Sequence, residues 1–314
     1  MCASTDRAQV APVAKQHTFT NEPPSFWRSL LLKNTLFVAA VVVLSGGILG
    51  HLAYVLARDI IHDNIHLRLQ LVVTDRAALF EEYVKQQLER AALVTNRTSL
   101  HELIQEFNGG EIDLNSFREQ SQRILEDTKF GSSSSFRDLW IVNPQGTVIT
   151  ATNDDYLSKT YAGDPGFLEG KEHPRLDLPQ EVDGRYLTYL VAPMNSEGGN
   201  LLGVLMVWLD VTPLKEILTN RVGLQKTGDL LVATKQGDHV RYLFQPRDSE
   251  VWSVPISDVP AMAKALQDES GSEVLNYSGD RVLVSYRPVD YQPDLEAPWG
   301  MIAKISLEEA YAPV

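Results

Sequence analysis

Hydrophobic and polar positions divide this chain into three regimes. From Leu36 to Ala57 the residues run without Lys, Arg, Asp or Glu, and His51 is the one ionisable side chain. At ~1.5 Å rise per residue the run reaches roughly 33 Å, enough to cross a hydrocarbon core of ~30 Å. Gly46, Gly47 and Gly50 suit a membrane helix and would weaken a soluble one. A buried core helix is the competing reading, and the length without a charge disfavours it. From Arg58 to about Phe107 there is neither Pro nor Gly, and apolar residues recur near helical spacing at Ile61, Ile65, Leu69, Val72, Leu79, Tyr83, Leu88 and Ala92. This predicts one long amphipathic helix, a stalk of roughly 75 Å. Arg76 interrupts the stripe, so part of the helix is expected to pack on the domain and part on a partner helix. Asn108-Gly109-Gly110 ends it, and a shorter helix is expected over Asn115 to Asp127.

The third regime alternates with a period of two. Leu139–Val142 and Thr147–Thr150 flank the turn Asn143-Pro144-Gln145-Gly146 and predict a hairpin. A loop region with Tyr156, Tyr161 and Phe167 follows. Strands are predicted at Arg185–Ala192 and Leu201–Asp210, then a helix over Val211–Asn220. The same grammar returns, with strands at Asp229–Ala233 and His239–Phe244, a helix at Asp258–Gln267, and strands at Val274–Tyr277, Arg281–Arg287 and Trp299–Ile305. Sequential antiparallel strands with helices to one side give an α+β fold with two PAS-like modules in tandem. The expected boundaries are 1–35 for an N-terminal tail, 36–57 for the membrane helix, 58–130 for the stalk and second helix, 131–220 for the first module and 221–314 for the second.

Charge adds orientation. Arg28 and Lys33 precede the apolar run, which by the positive-inside rule puts the N-terminus in the cytoplasm. The long polar leader and the lack of a small-residue cleavage site make the run an uncleaved signal anchor, so residues 58–314 are expected outside the cytoplasm of a bacterial cell, on its inner membrane. The formal net charge of −13 argues against nucleic acid as a partner. Cys2 is the only cysteine, so no disulfide framework supports the fold.

The order of motifs now resembles a known family. "DLWIVNPQGTVITATN" resembles the hairpin of a Cache module, and "LLGVLMVWLDVTPLKEIL" the last strand of the membrane-distal module. "VGLQKTGDLLVAT" is similar to the opening of the membrane-proximal module, with Asp229 in place of the usual Glu, and "APWGMIAKISLEEAYAPV" to its closing strand. Over about residues 58–314 the chain is similar to the double-Cache sensor of bacterial transmembrane receptors. The resemblance implies a small-molecule ligand in the distal module, a signal passed through the stalk helix, a homodimer, and a cytoplasmic effector such as a histidine kinase, cyclase or chemotaxis domain. Ala297–Val314 looks like the approach to a second membrane helix, so the chain is expected to be the sensing half of a longer receptor or a relative that has lost its effector.

The amino-acid-binding branch of that family carries an Arg-x-Trp-Tyr pattern after the distal hairpin. Here Tyr161 to Phe167 lacks the Arg and the Trp-Tyr pair, and Asp210 alone matches the later Asp. One matched element does not make an amino-acid receptor. A pocket can be drawn from Trp140, Tyr156, Tyr161, Phe167, Tyr189, Trp208 and Asp210, with Trp208 and Asp210 on one strand face. An aromatic wall with a carboxylate suits an amine-bearing or cationic ligand. The structural alternative makes the two Trp core fillers and Asp210 the cap of the helix at Val211. His62 and His66 share a helix face without a third ligand, so no metal is expected, and no cofactor either. No Gly-x-Ser-x-Gly elbow, P-loop or phosphoacceptor box appears, so no enzyme is expected. The alternative function is a membrane-anchored periplasmic tether whose PAS-like modules bind another protein.

Overall fold

The computed structural model describes residues 25–131, 135–224, 226–247, 251–277, 279–290 and 298–311. Most of the expected cytoplasmic tail, up to position 24 and including Cys2, lies outside them. The chain forms two units, Met1–Ile61 and His62–Val314. In the first, the opening part of α1 (Ser25–Thr95) contains Leu32–Ala57, long and apolar enough to cross a membrane, with side chains such as Phe37, Val43 and Leu49 exposed.

In the second unit, α1 buries Leu69, Val73, Ala77, Phe80, Val84, Ala91 and Val94, with Gln87 in the same series. Steps of three and four keep these on one face. The buried face is rotated from the expected stripe: Leu79 is exposed, while Ala77 and Ala91 lie at the centre because small residues let the helix approach the sheets closely. Arg76 is itself buried on this face and interrupts nothing.

The expected helix to Phe107 is also two helices. Arg97 is extended between α1 and α2 (Thr98–Gly109), and its guanidinium reaches the Ile124 carbonyl and the Thr128 hydroxyl of α3 (Leu114–Gly131) at 3.4 and 3.3 Å. A run of Thr95, Asn96 and Thr98 around it has weak helix propensity, so this tertiary contact decides the break. Gly110, in the left-handed conformation, closes α2 as expected. Phe107 and Phe117 stack at 4.6 Å between α2 and α3.

Two antiparallel sheets follow. The first has the order β2-β1-β6-β5-β3, from β1 (Phe136–Val142), β2 (Val148–Ala151), β3 (Arg175–Leu176), β5 (Arg185–Asn195) and β6 (Leu201–Asp210), with β4 (Gln180–Val182) also paired to β5. Helices α4 (Pro165–Gly170) and α5 (Thr212–Thr219) belong with it. The second sheet runs β10-β11-β12-β7-β8-β9, from β7 (Asp229–Gln236), β8 (His239–Tyr242), β9 (Ser253–Pro255), β10 (Gly271–Tyr277), β11 (Asp280–Val289) and β12 (Trp299–Ser306). Helices α6 (Pro260–Ala265) and α7 (Leu307–Ala310) complete it. The expected loop between β2 and β5 holds α4, started by Pro165 in its first turn and by Asp164, whose carboxylate accepts from the Phe167 N–H at 2.9 Å.

Each sheet has one shared and one private face. Leu139, Ile141, Leu205 and Val207 of the first sheet, and Leu283, Trp299, Met301 and Ala303 of the second, enter one continuous core with α1, α2 and α3. The Phe80 ring meets Trp299 at 5.3 Å inside it. By alternation, the opposite faces form two separate layers, one on each sheet.

Candidate ligand-binding site

The private layer of the first sheet collects the aromatic residues. Strand register sets its floor: Trp208 of β6 stands between Asp138 of β1 and Tyr189 of β5, and Met206 stands between Trp140 and Val191 in the next row of that face. The segment after β2 supplies the cover. Tyr156 stacks on Trp140 at 4.2 Å and 9°, and Tyr161 lies over the same indole at 6.0 Å. Tyr189 meets Trp140 edge-on at 5.8 Å and Trp208 edge-on at 4.6 Å. Phe167 of α4 is fully buried in the layer.

The cover is pinned at Gly146, whose φ of +93° and place against Ala162 leave no room for a Cβ: one would lie 2.4 Å from the Ala162 nitrogen. The Gly146 carbonyl then accepts from the Tyr161 N–H at 2.7 Å.

Six of the seven expected residues therefore meet: Trp140, Tyr156, Tyr161, Phe167, Tyr189 and Trp208. Asp210 is engaged elsewhere. One carboxylate oxygen accepts from the Thr212 N–H at 3.0 Å, capping the start of α5, and the other lies 2.9 Å from Arg137 and 3.6 Å from Arg185. This is the structural role weighed against the pocket role in the sequence.

Three other carboxylates border the layer. Asp138 sits beside Tyr156 and pairs with Lys129 at 3.2 Å. Asp177 pairs with Arg175 at 2.8 Å, and its carboxylate lies against the first turn of α4, near Asp164. Period-two alternation from Trp140 would have found Asp138, and the Asp-Pro helix start would have found Asp164. Asp177 follows a two-residue strand that leaves no periodic trace.

Burial, with Asp138 beside it, pushes the Tyr156 phenol up to about 12. Burial also raises Tyr161 and Tyr189, and Asp164 adds to both. All three stay neutral hydroxyls near neutral pH. Burial raises the Asp177 carboxyl above its ordinary value, Arg175 opposes, and the Asp164 charge adds to the rise. The indole N–H of Trp208 is buried without a hydrogen-bond partner, while that of Trp140 points at the Tyr161 hydroxyl. Lys159 Nζ already rests 4.2 Å over the Tyr156 ring, so these faces accept a cation. The layer thus offers π-faces, one spare N–H donor and a carboxylate border.

The helix α1 reaches this module beneath Asp210: the Tyr83 hydroxyl donates to the Asp210 carbonyl at 3.2 Å, and burial near that carboxylate pushes Tyr83 up to about 12.

In sequence, the profile of the Cache domain matches residues 57–314, and no curated protein matches the chain. Similar solved structures include the ligand-binding domain of the Pseudomonas aeruginosa amino-acid chemoreceptor PctB in complex with L-Arg, 18% identical with a TM-score of 0.56, covering 80% of this chain and 99% of that one. The ligand-binding domain of the Pseudomonas fluorescens chemoreceptor CtaA, in complex with L-isoleucine, is 14% identical with a TM-score of 0.56, covering 81% and 98%. A domain of a sensory box/GGDEF family protein from Vibrio parahaemolyticus is 12% identical with a TM-score of 0.51, covering 80% and 99%.

Proposed function

Because this chain belongs to the Cache domain family over residues 57–314, we propose that it is the small-molecule-sensing region of a membrane receptor, with the ligand bound in the aromatic layer of the first module. The observation that carries this reading is the stacked set of Trp140, Tyr156, Tyr161, Tyr189 and Trp208, bordered by Asp138, Asp164 and Asp177. Its chemistry favours an amine-bearing ligand. A cation over these rings gains roughly 0.5–2 kcal/mol per favourable ring contact, and an ionised carboxylate nearby adds Coulomb attraction. The amino-acid ligands of PctB and CtaA also carry an ammonium group.

In this reading the run from Leu32 to Ala57 anchors the chain in a bacterial membrane, with the N-terminus cytoplasmic and the Cache region outside. A homodimer forms through α1. The ligand draws the cover after β2 onto the sheet, and the Tyr83–Asp210 bond passes the change to α1. The chain senses and does not catalyse.

The test is a thermal-shift titration of the full chain in lipid nanodiscs with choline, histamine, putrescine and L-arginine. A saturable rise in Tm is expected for at least one, equivalent to about 2.7 kcal/mol at a hundred times Kd, reduced in Asp177→Asn and lost in Trp208→Ala. Silence across the panel, with a protein co-purifying instead, would replace the sensor by the tethering role.

A further inference from the structure

The two modules meet at a cavity of about 450 Å³, within the roughly 300–1,000 Å³ of small-molecule pockets. Its walls come from both sides. The first module supplies Tyr186 of β5 with Lys215 and Leu218 of α5, and the second supplies Leu230 and Val232 of β7 and the segment from Phe244 to Arg247 after β8. Tyr186 and Phe244 meet edge-on across the junction, with ring centroids 5.2 Å apart at 75°. Leu230 and Val232 share one face of β7 by alternation. With Leu218 and Phe244 they give the cavity an apolar floor.

The charged lining is also drawn from both modules. Lys215 Nζ donates to the Tyr186 hydroxyl at 2.8 Å and rests 3.9 Å from the centre of that ring. The same hydroxyl donates to Glu181 at 2.9 Å, so the phenol stands between the ammonium and the carboxylate. Arg247 is exposed at the rim. Neither cation has a carboxylate within ion-pair distance among the described residues. Asp229 is the carboxylate on the cavity wall, and Lys304 is its cross-strand partner, 3.9 Å away.

An ammonium carries three donors, and Lys215 spends one on a neutral phenol. The Arg247 guanidinium adds a planar fork of N–H groups that suits a carboxylate. Bringing two cations onto one cavity costs repulsion that an anion between them offsets. Asp229 and Glu181 set the limit on that anion: with two carboxylates close by, a ligand of more than one negative charge is disfavoured.

We infer that this junction is a second ligand site, taking a monocarboxylate with a compact apolar body. The carboxylate docks between Lys215 of α5 and Arg247 of the second module, and the body lies on Leu218, Leu230, Val232 and Phe244. Because its two cations belong to different modules, the bound acid ties α5 to the second sheet. The site shares no side chain with the aromatic layer on the first sheet.

The experiment is isothermal titration of the full chain in lipid nanodiscs with phenylacetate and hexanoate, each beside its neutral amide. The proteins are wild type, Lys215→Met, Arg247→Gln and, as a control for charge removal, Arg123→Gln on the exposed side of α3. At least one acid binds wild type saturably, about tenfold or more tighter than its amide. Its affinity falls about tenfold in K215M, about threefold in R247Q and not at all in R123Q. Absence of binding by both acids overturns the inference, as does binding of acid and amide alike, wild-type affinity in either K215M or R247Q, or an equal loss in R123Q. Should K215M fail to fold, R247Q and the amide comparison decide, since Arg247 is exposed at the rim and the comparison is made on wild type.

Discussion

Truncating the contact between Phe80 and Trp299 tests how α1 is held to the second sheet. Phe80 is completely buried and Trp299 is 5% exposed, with ring centroids 5.3 Å apart at 55°. Replacing either by Ala removes a large buried side chain and leaves a cavity, at a cost of about 3–5 kcal/mol each. If the sites were independent, the double variant would lose about 6–10 kcal/mol, comparable to the whole stability of many domains. They are not independent: each ring loses its partner when the other goes, so the double variant should be less damaged than the sum by about 0.5–1.5 kcal/mol. Guanidinium unfolding of the full chain, followed by circular dichroism, measures the four corners of this cycle. Phe80→Leu replaces F80A if the latter is unfolded in water. Additivity within about 0.3 kcal/mol, or single costs below about 1 kcal/mol, would show that α1 is not docked through this pair.

Three further outcomes are expected. Asp177 is held above its ordinary pKa, so its folded form takes up protons more readily than the unfolded chain. Its contribution to stability is therefore present at low pH and lost as pH rises through the folded value, while attraction for an amine runs the other way and weakens on acidification. Titrations with whichever amine raises Tm, across pH 4–8, should show that loss in wild type and a flatter profile in D177N. Glu309 is held below its ordinary pKa by the Thr227 hydroxyl first, and also by the Lys226 and Thr227 N–H groups at 2.7 and 2.6 Å. It stabilises above pH 4.5 and loses this as pH falls through its lowered value, so E309Q should flatten the acid limb of Tm against pH. Gly146→Ala forces a Cβ onto the Ala162 backbone at positive φ; a loss above about 2 kcal/mol and a change in tryptophan fluorescence are expected.

Strong local signals made much of this fold legible in the sequence. The hairpin at Asn143–Gly146 and the last strand of the first sheet, Leu201–Asp210, stand where their alternation and turn residues put them. The apolar run is helical as expected. What escaped depends on contacts far along the chain. Arg97 breaks the long helix because α3 receives its side chain. The buried face of α1 is centred on alanines, which a search for large apolar residues passes over. Strands of two or three residues, such as Arg175–Leu176 and Ser253–Pro255, are too short to show a period.

The candidate site divides along the same line. Its aromatic members were legible because a fold of this class must gather large residues from alternate strand positions onto one face. Its acidic members were not. Asp210 attracted notice by following Trp208 at a spacing of two, but an aspartate before Thr-Pro is also drawn to the orphan N–H groups of the next helix, and that local bond prevails. Asp177 comes to the layer only through the pairing of β3 with β5, a contact across the sheet.

The shared core has a consequence for how this molecule could be cut and recombined. Two sheets of similar grammar suggest two exchangeable cassettes, but neither owns the core it stands on: the inner faces of both are closed by the same helix faces. A fragment ending near residue 220 would keep α1 and strip the second sheet from it, baring Phe80 to water. A fragment beginning there would lose α1 altogether. Grafting between relatives should therefore succeed for the private layers, whose residues can be exchanged in place, and fail for whole modules unless α1 travels with both.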